Sequence, residues 1–117
     1  MHGWVVDVNV YVVPGVTDLR KAIDGLSMYV EEQLELDPFS GHLFAFCNRR
    51  RDMVKVLYWD RNGFCMWQKR LERERFDWPR TGEAALKVDM RHFEWLLEGF
   101  RIYLEGGHGR YRYQSVI

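Results

Sequence analysis

The side chains able to do chemistry in this chain fall into two unequal groups. Asp18, Asp24, Asp60, His42 and His92 are the candidate acids, bases and metal ligands, and carboxylates gripping a divalent ion would make a metal-dependent nuclease. Their spacing gives this little support. Asp18 and Asp24 stand six residues apart, which on a helix starting near residue 18 sets them well apart around the axis. Helix capping and solvation account for both. His42, beside Gly41 at a strand start, reads as a hydrogen-bonded structural histidine. A nuclease using Asp18, Asp24 or Asp60 therefore stands as the minor alternative. There is no glycine-rich phosphate loop of the P-loop or dinucleotide kind, so nucleotide binding lacks support and no cofactor is expected.

The second group is denser. Arg49, Arg50 and Arg51 sit at a turn, Lys55, Lys69 and Arg70 lie on adjoining strands, and Arg73 and Arg75 follow, interleaved with Tyr58, Trp59 and Trp67. Guanidinium groups at a turn tip can each neutralise a phosphate and release condensed counterions. The resulting affinity ignores base sequence and falls with salt, and any exposed aromatic ring adds stacking. The competing reading places the aromatics in the core and leaves the arginines as a solvated turn paired with Asp52, Asp60, Glu72 and the acidic first helix. The aromatics read as core; the arginine turn stays open between the two.

Formal net charge is zero, yet the charge is segregated along the chain. Residues 1–41 carry two basic side chains against seven carboxylates, whereas residues 42–80 carry ten against five. The acidic stretch includes Glu31, Glu32 and Glu35. Together with Trp59 and Trp67 these offer a second function, an adaptor surface for another protein.

These side chains must be positioned by a small fold. At 117 residues, 47% hydrophobic and 15% aromatic, the chain is long enough for one modest core. A single domain is expected over residues 1–104, followed by a tail over 105–117 that is ordered only if it docks or pairs. No apolar run is long enough for a bilayer, and Met1-His2-Gly3-Trp4 does not open a secretory leader, so a cytoplasmic protein is expected. Cys47 and Cys65 cannot form a disulfide framework or a four-cysteine zinc site and are expected as free thiols; no metal site is predicted.

Residues 8–13 read as a strand stopped by Pro14-Gly15. A helix capped by Thr17 or Asp18 follows, with Leu19, Ala22, Ile23, Leu26, Val30 and Leu34 on one face and an end at Asp37-Pro38. Residues 42–47, 53–59 and 64–70 form an antiparallel meander with a basic turn at 48–52 and a tight turn whose positive φ values are assigned to Asn62-Gly63. Its register is open between a two-residue and a four-residue loop. After an irregular segment at 72–80 and a brief strand at 84–88, Asp89 caps a second helix bearing Phe93, Leu96, Leu97 and Phe100, with Gly99 at its end. The fold class is α+β: a small twisted antiparallel sheet of about four strands packed with two amphipathic helices.

Several of these segments resemble one known family. Gly15-Val16-Thr17-Asp18-Leu19-Arg20-Lys21, Asp24-Gly25-Leu26, Asp37-Pro38-Phe39-Ser40-Gly41-His42-Leu43-Phe44, Arg49-Arg50-Arg51-Asp52 and Leu57-Tyr58-Trp59-Asp60 look like the TnpB accessory proteins of the sixty-six family of bacterial insertion sequences. Lys69-Arg70-Leu71-Glu72, Arg75-Phe76, Trp78-Pro79 and Leu96-Leu97-Glu98-Gly99 extend the likeness, which runs from about Val8 to Phe100. It implies a protein needed for efficient transposition beside a separate, larger transposase that carries the strand-transfer chemistry, and hence no catalytic centre here. Met53 departs from the pattern, standing where a basic side chain is common.

The expected function is thus a non-enzymatic accessory factor that binds element-end or target DNA through Arg49–Arg51 and Lys69–Arg75. Contacts would fall mostly on phosphates, with weak sequence discrimination, since nothing resembles a helix-turn-helix or a zinc finger. The alternative partner is the transposase or another element-encoded protein.

Overall fold

A computed structural model describes residues 8–105 and 112–116. Strands β1 (Val10–Val12), β2 (Leu43–Cys47), β3 (Met53–Asp60), β4 (Gly63–Arg70) and β5 (Leu86–Val88) form one sheet in the order β4-β3-β2-β1-β5. The central β2, Leu-Phe-Ala-Phe-Cys, is buried at every position. Both its faces are covered, which is why it reads as a continuous apolar run with no polar alternation.

The α+β class is as expected, with two differences in the sheet. It has five strands, because residues 86–88 pair antiparallel with β1, Val12 opposite Leu86. It is also mixed: β1 runs parallel to β2, with Val10 opposite Leu43 and Val12 opposite Ala45. Parallel neighbours need a crossover, supplied here by helix α1 (Ile23–Glu32). The β3–β4 register selects the two-residue loop, Asp60 opposite Gly63. Positive φ falls on Arg61 (54°), and Gly63 is already a strand residue, so the assignment to Asn62-Gly63 is corrected.

The first helix starts later than its expected caps. The Val13 and Thr17 amides donate to the Ala45 and Cys47 carbonyls, both at 2.9 Å, so the chain, bent at Gly15 (φ 80°), remains tied alongside β2 through residue 17. The Asp18 carboxylate turns to Arg20, and α1 begins after extended Ala22 with no side-chain cap. Leu26, Val30 and, beyond the helix end, Leu34 pack on Phe44, Phe46 and Leu57.

Helix α2 (Met90–Leu97) begins as predicted, with the Asp89 carboxylate accepting from the His92 amide at 2.8 Å. Gly99 (φ 100°) follows its end. Phe93, Leu96 and Leu97 pack on the sheet's other face against Val10, Val12, Val54, Val56 and Leu86, whereas Phe100 is exposed and leaves that stripe. Beside α2, β6 (Arg101–Glu105) and β7 (Arg112–Val116) form a two-stranded ribbon. Of the tail expected over 105–117, residues 106–111 and 117 lie outside the described residues, as does the amino-terminal stretch 1–7. No helix among the described residues is long and apolar enough to cross a membrane.

Candidate nucleic-acid interface

Three connections meet at one end of the sheet, where β1 and β2 finish, β3 begins and β4 finishes. The first is the Asn48–Asp52 turn. Asn48 shapes it: its Oδ1 accepts from the Asp52 and Met53 amides, each at 3.1 Å, and its Nδ2 donates to Asp52 Oδ1 at 2.7 Å. Arg51 closes the turn in a left-handed conformation (φ 58°), unusual for a side chain of this size. The Asn48 hydrogen bond, helped by Arg50 and Arg75, holds the Asp52 carboxyl below its ordinary pKa against the opposing effect of burial.

The second connection, residues 71–80, is sewn to this turn and to β1. The Leu71 amide donates to the Asp52 carbonyl and the Phe76 amide to the Arg51 carbonyl, both at 2.7 Å. Phe76 and Trp78 are buried, and Trp78 Nε1 donates to the Val13 carbonyl at 2.8 Å. Arg73 and Arg75 are thereby carried to the same end as Arg49, Arg50 and Arg51. The third connection, residues 14–20, is tied down by Thr17 and by the Gly15 amide donating to the Pro79 carbonyl at 2.8 Å.

The arginines are lightly paired. Arg50 lies 3.9 Å from Asp52 with its side chain 75% exposed, at the outer limit of an ion pair. Among the described residues Arg49, Arg51, Arg73 and Arg75 make no ion pair, although Arg75 donates to the Glu74 carbonyl at 3.1 Å. Arg70 pairs with Glu72 at 3.2 Å on the surface, where such a contact is worth little. Lys55 and Lys69 stand apart from the arginines. They lie on opposite faces of the hairpin, Lys55 donating to the Leu19 carbonyl at 2.8 Å and Lys69 to the Leu97 carbonyl at 3.0 Å, where it caps the end of α2.

Between the first and third connections lies an open cleft of about 530 Å³. Val16, Leu19 and Met53 give it apolar surface, and Arg20, Arg49 and Arg50 line it with guanidinium groups. Asp18, also in the lining, accepts from Arg20 Nε at 2.9 and 3.1 Å and from Nη2 at 2.6 Å. This contact holds the Asp18 carboxyl far below the usual carboxylate range and raises the Arg20 guanidinium. Arg20 and Asn48 were both missing from the sequence-based site; the signal for Asn48 was its place four residues before Asp52.

Comparison with known proteins follows from the same segments. Residues 8–105 match the family described as IS66 Orf2 like protein, TnpB_IS66. The chain belongs to that family. Two uncharacterized proteins of Sinorhizobium fredii are similar: y4hO, 37% identical over 93 residues (80% of this chain, 81% of y4hO), and y4jC, 33% identical over 82 residues (70% of each). No solved structure matches. Membership in the IS66 Orf2-like family supports an accessory role in transposition.

The opposite end of this IS66 Orf2-like protein is aromatic. An Asx turn, with the Phe39 amide donating to Asp37 Oδ1 at 2.9 Å, presents Phe39 beside the β3–β4 hairpin tip. There Phe39, Trp59 and Phe64 pack with ring centroids 5.0–5.2 Å apart, and Phe39 remains 53% exposed. Glu31, Glu32 and Glu35 are exposed at the carboxyl end of α1, from which the chain passes directly to this tip. Trp67 is elsewhere, half-buried against the α2-side core. The acidic helix end and the arginine turn thus occupy opposite ends of β2. Cys47 is buried and its thiol is pushed up to about 12 by desolvation, and Cys65 is half-buried; both are free. Among the described residues no three His, Cys, Asp or Glu side chains come together as a metal site.

Proposed function

We propose that this chain is a non-enzymatic accessory factor for transposition that holds DNA by its phosphates through Arg49, Arg50, Arg51, Arg73 and Arg75. The observation that supports this is the way backbone hydrogen bonds from Leu71 and Phe76 dock a second arginine segment on the arginine turn while leaving its guanidinium groups almost without internal carboxylates. A surface so arranged neutralises phosphates and releases counterions on binding. Fluorescence anisotropy with labelled duplex DNA across a salt series tests it. Affinity that drops steeply with salt is expected; a chain indifferent to DNA at low salt sinks the reading.

A second reading has its own observation in exposed Phe39, packed on half-buried Trp59 and Phe64. That end suits a partner protein, the transposase or another element-encoded chain, with Glu31 and Glu32 supplying complementary charge. The two readings use opposite ends of the sheet and are compatible. Co-purification with the transposase, lost in Phe39→Ala and kept in an Arg49/Arg50/Arg51 triple alanine variant, is the expected result.

A further inference from the structure

Resting on the DNA reading above, we propose that the cleft between residues 16–20 and the Asn48–Arg50 turn seats one unpaired nucleotide, so that the chain prefers DNA with a single-stranded or frayed end to intact duplex. A phosphate surface alone needs only a convex patch of guanidinium groups. Here the arginines border an open hollow of about 530 Å³, within the ~300–1,000 Å³ range of small-ligand clefts, that also carries apolar surface.

The lining has two chemistries. Val16 is 54% exposed, although its neighbour Thr17 is anchored to β2; with Met53 it offers apolar surface of the kind against which an extruded base packs. Arg20, Arg49 and Arg50 supply donors for a phosphate. Arg20 is already oriented: Asp18 occupies its Nε and Nη2 while the side chain stays 91% exposed, leaving Nη1 and the guanidinium plane for a ligand. The one carboxylate in the lining is thus consumed by an internal arginine, so the cleft faces a ligand as a cationic site.

The occupant's identity follows from continuity. The turn that forms one wall also carries Arg51 and is bonded to the segment bearing Arg73 and Arg75, so positive charge continues beyond the cleft. A ligand matching this surface is a polyanion with an apolar, planar group available at one repeat, which describes a nucleic-acid strand with an unpaired base.

The test compares binding of the full chain to a blunt duplex and to the same duplex with a short overhang, at one salt concentration. The overhang is expected to bind about tenfold more tightly, the size of one base contact. Val16→Asp, at an exposed position outside the arginine set, should erase that preference, and Val16→Asn, which adds no charge, should erase it too while blunt-duplex affinity stays within about threefold of the parent. A 2-aminopurine placed in the overhang should change brightness on binding to the parent chain and not to the Val16→Asp variant. Equal affinity for both duplexes overturns the nucleotide seat and leaves phosphate binding intact. Failure to bind either duplex removes the DNA reading and this one with it. A polyglutamate peptide that binds the cleft, with sensitivity to Val16→Asp and no response to an overhang, assigns the site to acidic protein segments and also overturns the proposal.

Discussion

The two ends of the sheet are built on the same strands by opposite means. At the loop end, main-chain hydrogen bonds and two buried aromatics, Phe76 and Trp78, hold three connections together, so the arginines that project are not needed for the architecture. At the hairpin tip exposed Phe39 and half-buried Trp59 and Phe64 hold one another, ring edge against ring face. Charged groups released from structural duty suit a polyanion. Rings already engaged with each other offer a firm apolar patch instead.

That contrast can be broken at several points. The largest effect is expected from replacing Arg49, Arg50 and Arg51 together by alanine: removal of three phosphate contacts should lower the salt slope of DNA binding by about 2.7. Urea unfolding should show little change, since only the weak Arg50–Asp52 pair is lost. A large loss of stability would show the arginines to be structural after all.

Asn48→Ala should do the reverse, removing three hydrogen bonds without touching charge and lowering stability by about 2 kcal/mol in urea titrations. Phe39→Ala at the other end should cost about 1 kcal/mol through its two ring contacts, with DNA affinity unchanged.

A smaller effect concerns acid. Because the Asp52 carboxyl is held below its ordinary value of ~3.9, its stabilising contribution is complete above that pH and is lost as pH falls through its depressed native value. Urea midpoints measured downward from pH ~5 should fall less steeply in Asn48→Ala than in the parent chain. Smallest of all, Lys69→Met should leave DNA affinity unchanged while removing a helix-end contact worth about 0.5 kcal/mol, because its ammonium is committed to the Leu97 carbonyl.

Much of the architecture could be read from the residues. The continuous apolar run at 43–47, the Asp89 cap and Gly99 are local signals, and local physics decides them. The parallel β1–β2 pair was a matter of long-range partner choice, although the strand-helix-strand order around α1 contained the hint. Asp18 misled because a good capping carboxylate is also a good partner for a guanidinium, and it went to Arg20; Thr17 was held beside β2 by its main-chain amide, which no side-chain type announces. At the site, the arginine turn was visible as composition, whereas the docking of residues 71–76 depends on two main-chain bonds that no side-chain pattern announces. Lys55 and Lys69 share a hairpin with the arginines in sequence, but the pleat sends them to opposite faces.

The bond from the Thr17 amide to the Cys47 carbonyl has one more effect. It stitches a connecting loop to the innermost strand, so that the loop takes its shape when the molecule folds. Whatever settles at this end meets walls already in place, and little conformational freedom is left to be surrendered at the moment of encounter.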